Sequence, residues 1–242
     1  MTRMVVDIHT HTISSGHAYS TLLENCSEAA KKGLKLIAMT DHGPAMPGGS
    51  HVFHIGNQKA IPNFINGVEV LKGVEANIID TSGRLDIEEK TLKKLDIVIA
   101  SLHEPCINPG TIEENTGAII GAMKNKYVDI IAHPGNPVFP IDIEEVLGAA
   151  REYNVLIEIN NSSLGTSRAG SEANCRRIAE AAARSGNMIA LGSDAHFCFT
   201  VGEFDKALEL VKNAGIQDEY IINTHEDKLK DFLRKKGKLQ NR

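Results

Sequence analysis

Short apolar, β-branched runs alternate along the chain with longer stretches of helical period. The runs fall at residues 4–8, 34–39, 68–74, 96–100, 128–132, 155–159 and 188–191. Between them, residues 22–32, 87–94, 112–124, 143–152, 172–185 and 203–213 place apolar side chains at three- and four-residue steps, the period of an amphipathic helix. Asp142 ahead of Ile143-Glu144-Glu145 has the form of a helix N-cap with acids in the first turn. Gly33, Gly186 and Gly215 fall where helices should stop. Residues 224–242 read as a last helix with a charged end carrying Lys235, Lys236 and Lys238.

Seven strands, most followed by a helix, predict parallel strands joined by right-handed crossovers. Ile97 to Ala100 and Ile130 to Ala132 are apolar at every position, which places two of the strands centrally. A barrel and an open doubly wound sheet both fit this pattern. No GxGxxG or GxxxxGKS follows any strand, so the nucleotide-binding versions lose support. With no linker, repeat or low-complexity segment, residues 1–242 are expected to form one α/β domain.

Composition narrows the class. The 242 residues are 42% hydrophobic and 24% charged with a net charge of −5, which excludes a disordered chain and a polybasic nucleic-acid binder. No apolar run approaches the roughly 18 residues of a membrane span, and the start, MTRMVVDIHTHT, is too short in apolar residues for a signal peptide. A cytoplasmic protein with no membrane partner is expected. Cys26, Cys106, Cys175 and Cys198 form no CxxC pair and read as free thiols. The unusual figure is ten histidines beside no tryptophan.

The histidines follow the strands. The first strand runs into His9-Thr10-His11, the second into Asp41-His42 and the third into Glu75. The fourth ends at His103, the fifth at His133 and the seventh at Asp194-Ala195-His196. In parallel α/β folds that end of the strands is where loops build active sites. A spacing of two puts His9 with His11, and Asp194 with His196, on one side of an extended strand, so each pair can chelate one ion. One such histidine is ordinarily a capping or hydrogen-bonding residue. A whole set gathered at one end is costly to bury unless something satisfies it, and metal ions do.

These residues also carry a family likeness. VDIHTHT, MTDHG, Glu75 within LKGVEANI, SLHEP, IAHPGNP and LGSDAH resemble the PHP (polymerase and histidinol phosphatase) superfamily, and more narrowly its YcdX-type phosphatases. The likeness extends to SGHAYST, the EINNSS, SR and GSEANCR stretch and FTVGEF, nearly end to end. It implies a distorted seven-stranded parallel (β/α)7 barrel with three divalent ions, zinc foremost, at the C-terminal end of the strands. Carried over residue by residue, it implies one ion on His9, His11, Glu75 and Asp194. A second falls on Glu75, His103 and His133, and a third on His17, His42 and His196. His17 enters through the resemblance alone, because it lies in the loop after the first strand.

That chemistry suits phosphate monoesters. Nine ligands for three ions leave open positions for water or substrate. Imidazole with carboxylate suits zinc and leaves manganese or iron open. Three divalent ions against Glu75 and Asp194 attract an anion to the pocket of an acidic protein. Clustered ions activate a water and clamp the attacking and leaving oxygens at phosphorus, with Glu75 bridging and Asp194, or a water on the metals, placed to protonate the leaving alcohol. A small phosphorylated metabolite is the expected partner. The chain has no basic stripe for nucleic acid, and its oligomeric state is left open.

Further residues draw substrate-binding expectations. Arg168 could grip a phosphate in a bidentate fork. His51 and His54 lie in an insertion, residues 43–57, whose proline and glycine content suggests a lid. Asn160 ends the sixth strand, the one without a ligand. Asp7 is placed to orient a ligand imidazole, Arg176 reads as structural, and His225 as a solvated helix cap. Alternatives are a histidinol-phosphate phosphatase or a PHP-type nuclease. A non-catalytic metal-binding protein is the rival of a different class, and the loss of a ligand that would favour it is not seen.

Overall fold

A computed structural model describes residues 3–240 apart from Thr166. The strands are β1 (Val6–Thr10), β2 (Leu36–Met39), β3 (Phe64–Ile65), β4 (Val68–Asn77), β5 (Ile97–Ser101), β6 (Ile130–Ile131), β7 (Leu156–Asn160) and β8 (Ile189–Gly192). Helices α1 (Leu22–Lys31), α2 (Val52–Gly56), α3 (Glu89–Leu92), α4 (Ile112–Met123), α5 (Ile143–Glu152), α6 (Ser171–Ser185), α7 (Asp205–Asn213) and α8 (Glu226–Lys235) lie among them. The order β1-β2-β4-β5-β6-β7-β8 is parallel throughout and never reverses, so the chain winds in one sense around a nearly closed barrel. A doubly wound sheet would reverse at its switch point. The short β3 pairs antiparallel with the start of β4.

Closure between β1 and β8 uses two devices. Near the C-terminal ends of the strands, Asp194 N donates to His9 O and His11 N to Ala195 O, each at 2.9 Å. Further down, the strands do not pair. The buried carboxamide of Asn223 fills the seam instead: its Nδ2 donates to Val6 O (2.9 Å) and Leu191 O (2.7 Å), and its Oδ1 accepts from Leu191 N (2.7 Å). Asp7 sits in the same seam and accepts from Ser193 Oγ (2.5 Å) and Gly202 N (2.8 Å).

Alternation divides the side chains as a barrel requires. Ile8, Leu36, Leu71, Ile99, Ile130 and Leu156 form an inner cluster, joined by Leu229, Phe232 and Leu233 of α8. Ile37, Val70, Val98, Ile131 and Ile157 point outward into the cluster shared with the surrounding helices. Lys238, just beyond α8, pairs with the buried Asp129 and donates to Tyr127 O at 2.8 Å.

Helix boundaries follow local chemistry. Asp142 caps α5 by accepting from Glu145 N, and Thr21 and Thr111 close capping boxes with Glu24 and Glu114. The stretch at 87–94 forms only the single turn of α3. Glu75 lies inside β4, two residues short of its end, not beyond it. β3 and α2 have no counterpart in the periodicity, since each is too short to show a period.

Candidate metal centre

The inward line of each strand continues upward from apolar to ligating residues. On β4 the sequence Leu71, Gly73, Glu75 keeps one parity; on β7 it is Leu156, Glu158, Asn160. Two lines depart from this: after β6, Ile130 and Ala132 are inner yet His133, at φ 33, also reaches the cluster, and on β1 Ile8 belongs to the inner cluster so that His9 should face out. A register shift between Asp7 and Thr10 inserts an extra residue opposite β2 and turns His9 inward. His9 and His11 then converge, their Nε2 atoms 3.1 Å apart.

Glu75 is the hub. Its Oε1 lies 2.8 Å from His133 Nε2 and 3.2 Å from His103 Nε2. Its Oε2 lies 2.7 Å from His42 Nδ1, 3.3 Å from His9 Nε2 and 3.5 Å from His11 Nε2. Glu75 Oε2 and His42 Nδ1 are buried without the alignment of a hydrogen bond, despite their closeness. A buried carboxylate oxygen and a buried imidazole nitrogen that lie close without hydrogen-bonding are an arrangement a cation resolves. Asp194 Oδ1 adds a second carboxylate, 3.1 Å from His11 Nε2 and 3.6 Å from His9 Nε2.

Donor atoms gather into three overlapping groups: His9 with His11 and Glu75; His42 with Glu75 and His103; His11 with His42 and His196. His17 joins the third, its Nε2 3.0 Å from that of His196 and its ring 5.0 Å from that of His42. All nine expected ligands therefore lie in one cluster. The groupings differ in detail from the expected sets. His42 stands beside Glu75 as well as beside His196, while His133 touches Glu75 without entering a group. Asp194 and His196 also meet by another route than an extended strand: Asp194 has φ 55, in the left-handed region. His133 (φ 33) and Arg168 (φ 47) share that region, where residues with side chains are uncommon and tend to gather at functional sites.

Electrostatics prepare the cluster for cations. Burial pushes the His11 imidazole down to about 3 and that of His133 down to about 4, so both are neutral, ligand-ready bases at neutral pH. Burial would raise Glu75 and Asp194. The surrounding His42, His9 and His103 outweigh it at Glu75, and His9 with Arg168 at Asp194, holding both well below the carboxylate range. His9 goes the other way: Glu158, Glu75 and Asp194 overcome its burial and raise it well above an ordinary histidine.

Support comes from residues the sequence reading missed or placed differently. Glu158 Oε1 lies 2.8 Å from His9 Nδ1, and its Oε2 accepts from His133 N at 2.8 Å. Glu158 thus does what was expected of Asp7, whose carboxylate serves the seam and touches only the backbone N–H of His9. Its signal was the inward parity of β7, two residues before Asn160. Gly192 opposite is required: a Cβ there would lie 1.9 Å from Glu158 Oε1 and 2.9 Å from His9 Cβ. Asn77 Oδ1 sits 2.7 Å from His103 Nδ1. Asp41 is not in the cluster; it accepts from Thr12 N (2.6 Å), Thr12 Oγ1 (2.8 Å) and Ser15 Oγ (2.7 Å), and Ser15 in turn meets His11 Nδ1 at 3.0 Å.

The expected substrate contacts divide. Arg168 reaches the cluster, with NH2 on Asp194 Oδ2 and Asn160 Oδ1 and Nε on Ser163 Oγ. Asn160 lies beside it, its Nδ2 3.1 Å from Glu158 Oε2 and 3.3 Å from Asp194 Oδ2, so its amide is already engaged. His54 Nε2 stands 3.5 Å from Asp41 Oδ2, behind the cluster. His51 caps α2 through Phe53 N and is exposed. The insertion is packed, not free-standing: Ser50 Oγ donates to Ser14 O at 2.9 Å, and a Cβ on Gly16 would meet Gly48 O at 2.4 Å. Arg176 pairs with Glu172 on the surface, His225 caps α8, and the four cysteines are free, as expected.

Comparison with known proteins agrees with this geometry. The PHP domain family model matches residues 7–162. A "Probable phosphatase" of Caldanaerobacter subterraneus subsp. tengcongensis is 59% identical over 237 residues, 98% of this chain and 93% of that protein. One of Clostridium novyi is 54% identical over 239 residues, 99% of this chain and 98% of that one. Among solved structures, histidinol phosphate phosphatase of Lactococcus lactis, complexed with zinc, L-histidinol and phosphate, superposes with a TM-score of 0.60 at 18% identity. The match covers 88% of this chain and 95% of that one. A chain of archaeal ribonuclease P with mature tRNA matches at a TM-score of 0.59 and 12% identity, over 98% of this chain and 93% of that one. At these identities the structural matches speak to fold alone.

Proposed function

The chain belongs to the PHP domain family, and from that premise we propose that it is a metal-dependent phosphatase acting on small phosphate monoesters. The observation that carries this reading is Glu75, buried among five imidazoles with its Oε2 and His42 Nδ1 unsatisfied. Seven imidazoles and two carboxylates fit divalent ions of the zinc type, and the three donor groups fit three of them. We assign His9, His11, His17, His42, Glu75, His103, His133, Asp194 and His196 as their ligands.

Bound ions supply Lewis-acid polarisation of the phosphoryl oxygens and a water activated at neutral pH. The protein's own groups do the rest. Glu75 would hold the ions together with the surrounding imidazoles, and Glu158 fixes the His9 ring so that Nε2 faces inward. Asp194 turns Oδ1 to the cluster and Oδ2 to Arg168, which places a guanidinium beside the phosphate position. His9 and Arg168 hold the Asp194 carboxyl well below the carboxylate range, so it carries charge and orients Arg168.

Hydrolysis of p-nitrophenyl phosphate with and without chelator tests the reading. Turnover by metal-replete protein, its loss on chelation and its absence in a folded His103→Ala variant are expected. Metal-replete protein that turns over no monoester would overturn the phosphatase reading. Full activity in His103→Ala would overturn the ligand assignment. The ribonuclease P likeness names a second test: cleavage of oligonucleotides in preference to monoesters would place the chain with nucleases.

A further inference from the structure

Most of the proposed ligands are sealed from solvent. His9, His11 and Glu75 are fully buried, and His42, His133 and Asp194 nearly so. His17 is exposed, and His103 and His196 are partly so. A substrate therefore arrives where these three imidazoles surface. Two of them, His17 and His196, lie on loops that also carry the largest concentration of exposed apolar side chains among the described residues.

Ile13 and Tyr19 flank His17, and Phe197 and Phe199 follow His196; Tyr19 is 77% exposed and Phe199 61%. The loops are tied into one rim. Tyr19 N donates to His196 O at 2.8 Å, Cys198 N to Ser20 Oγ at 2.9 Å, and Ile13 N to Ser20 O at 2.9 Å. Phe197 and Phe199 stack edge to face with centroids 5.0 Å apart. The insertion after β2 is tied to the first of these loops by Ser50 Oγ donating to Ser14 O. Holding several large apolar groups in water on a fixed frame is unfavourable, and patches of this kind mark recognition sites.

We propose that Tyr19 and Phe197 form an apolar wall at the mouth that receives the alcohol part of the substrate. Preferred substrates are then phosphomonoesters of aromatic or otherwise apolar alcohols, in preference to those of polyols. The inference rests on the phosphatase reading above. It follows from order along the path: a phosphate held at the buried cluster leaves the esterified alcohol pointing back out past His17 and His196. Aromatic side chains there offer stacking and apolar contact without competing for the ions.

The test compares substrates of similar leaving-group acidity, 2-phenylethyl phosphate and glycerol 3-phosphate, on zinc-loaded protein. The expected kcat/KM ratio favours the phenylethyl ester about tenfold, the scale of one aromatic contact. Tyr19→Ala and Phe197→Ala should each bring that ratio toward one, while Tyr19→Phe keeps it. Phe64→Ala, an equally exposed aromatic on β3 at the opposite end of β4, should leave it unchanged. Calorimetric binding of 2-phenylethyl phosphonate against methyl phosphonate gives the same contrast without turnover. Hydrolysis of both esters at equal kcat/KM, or an unchanged ratio in Tyr19→Ala and Phe197→Ala, overturns the apolar wall and leaves the phosphatase reading standing. No turnover of either ester or of p-nitrophenyl phosphate overturns both.

Discussion

Single residues decide whether ions are held. Glu158→Gln keeps the shape of the side chain but removes the charge beside His9 Nδ1, and metal affinity should fall roughly 10- to 100-fold, as read by competition with a chromogenic chelator. Undiminished affinity would show that His9 is oriented by packing alone. Asp41 gives a pH prediction. Burial opposes its ionisation, but His54, His11, Ser15 and the Thr12 N–H outweigh it and hold the carboxyl down to about 2, below the ordinary aspartate range. Its folded pKa lies below its unfolded one, so its contribution is complete above the unfolded value and is lost as pH falls toward about 2. Stability measured by denaturant between pH 4 and 2 should fall less steeply in Asp41→Asn than in the parent; equal slopes would remove Asp41 from the acid response. The proposed ligands other than His17 were legible at or near strand ends, whereas Glu158 and Asn77 were not. Each sits in a strand and acts through a ligand on a neighbouring element, and a strand shows only its alternation in sequence.

Among elements, the seam between β1 and β8 is the part that strand patterns could not reveal. Seven strands and their order of winding follow from alternating runs, but a side chain that substitutes for ladder bonds has no periodicity. Asn223→Ala leaves Val6 O and both backbone groups of Leu191 without their partner in a buried place. It should cost about 3 kcal/mol in urea unfolding, two or three such losses at 1–3 kcal/mol each. A cost within error of zero would mean that water or a shift of β1 satisfies the seam. The bulge on β1 was equally hidden: an extra residue reads as ordinary strand until its partner on β2 is known.

At the scale of the molecule, the ions should be part of the fold. The proposed ligands come from β1 at one end of the barrel order and from beyond β8 at the other, so on this reading ions would bind the assembled barrel and not its pieces. Chelation should then lower Tm by on the order of 10 °C, about 4 kcal/mol for an ion at a thousandfold excess over its Kd, and zinc should restore it. We propose that the chain unfolds as one unit, with a single calorimetric transition in the loaded protein; two separated transitions would divide it. Among the described residues no helix is long and apolar enough to cross a membrane.

The Asn223 closure has a consequence in time. Synthesis delivers β1 first, and the residue that joins it to β8 follows more than two hundred positions later. Until Asn223 is made the lower part of β1 has no seam partner, and His9 and His11 wait first for Glu75 and then for Asp194. Early-made histidines therefore wait on the ribosome as an open, weakly chelating pair. Until the ring is sealed, the free edge of β1 is the kind of unpaired strand edge that pairs with a neighbour.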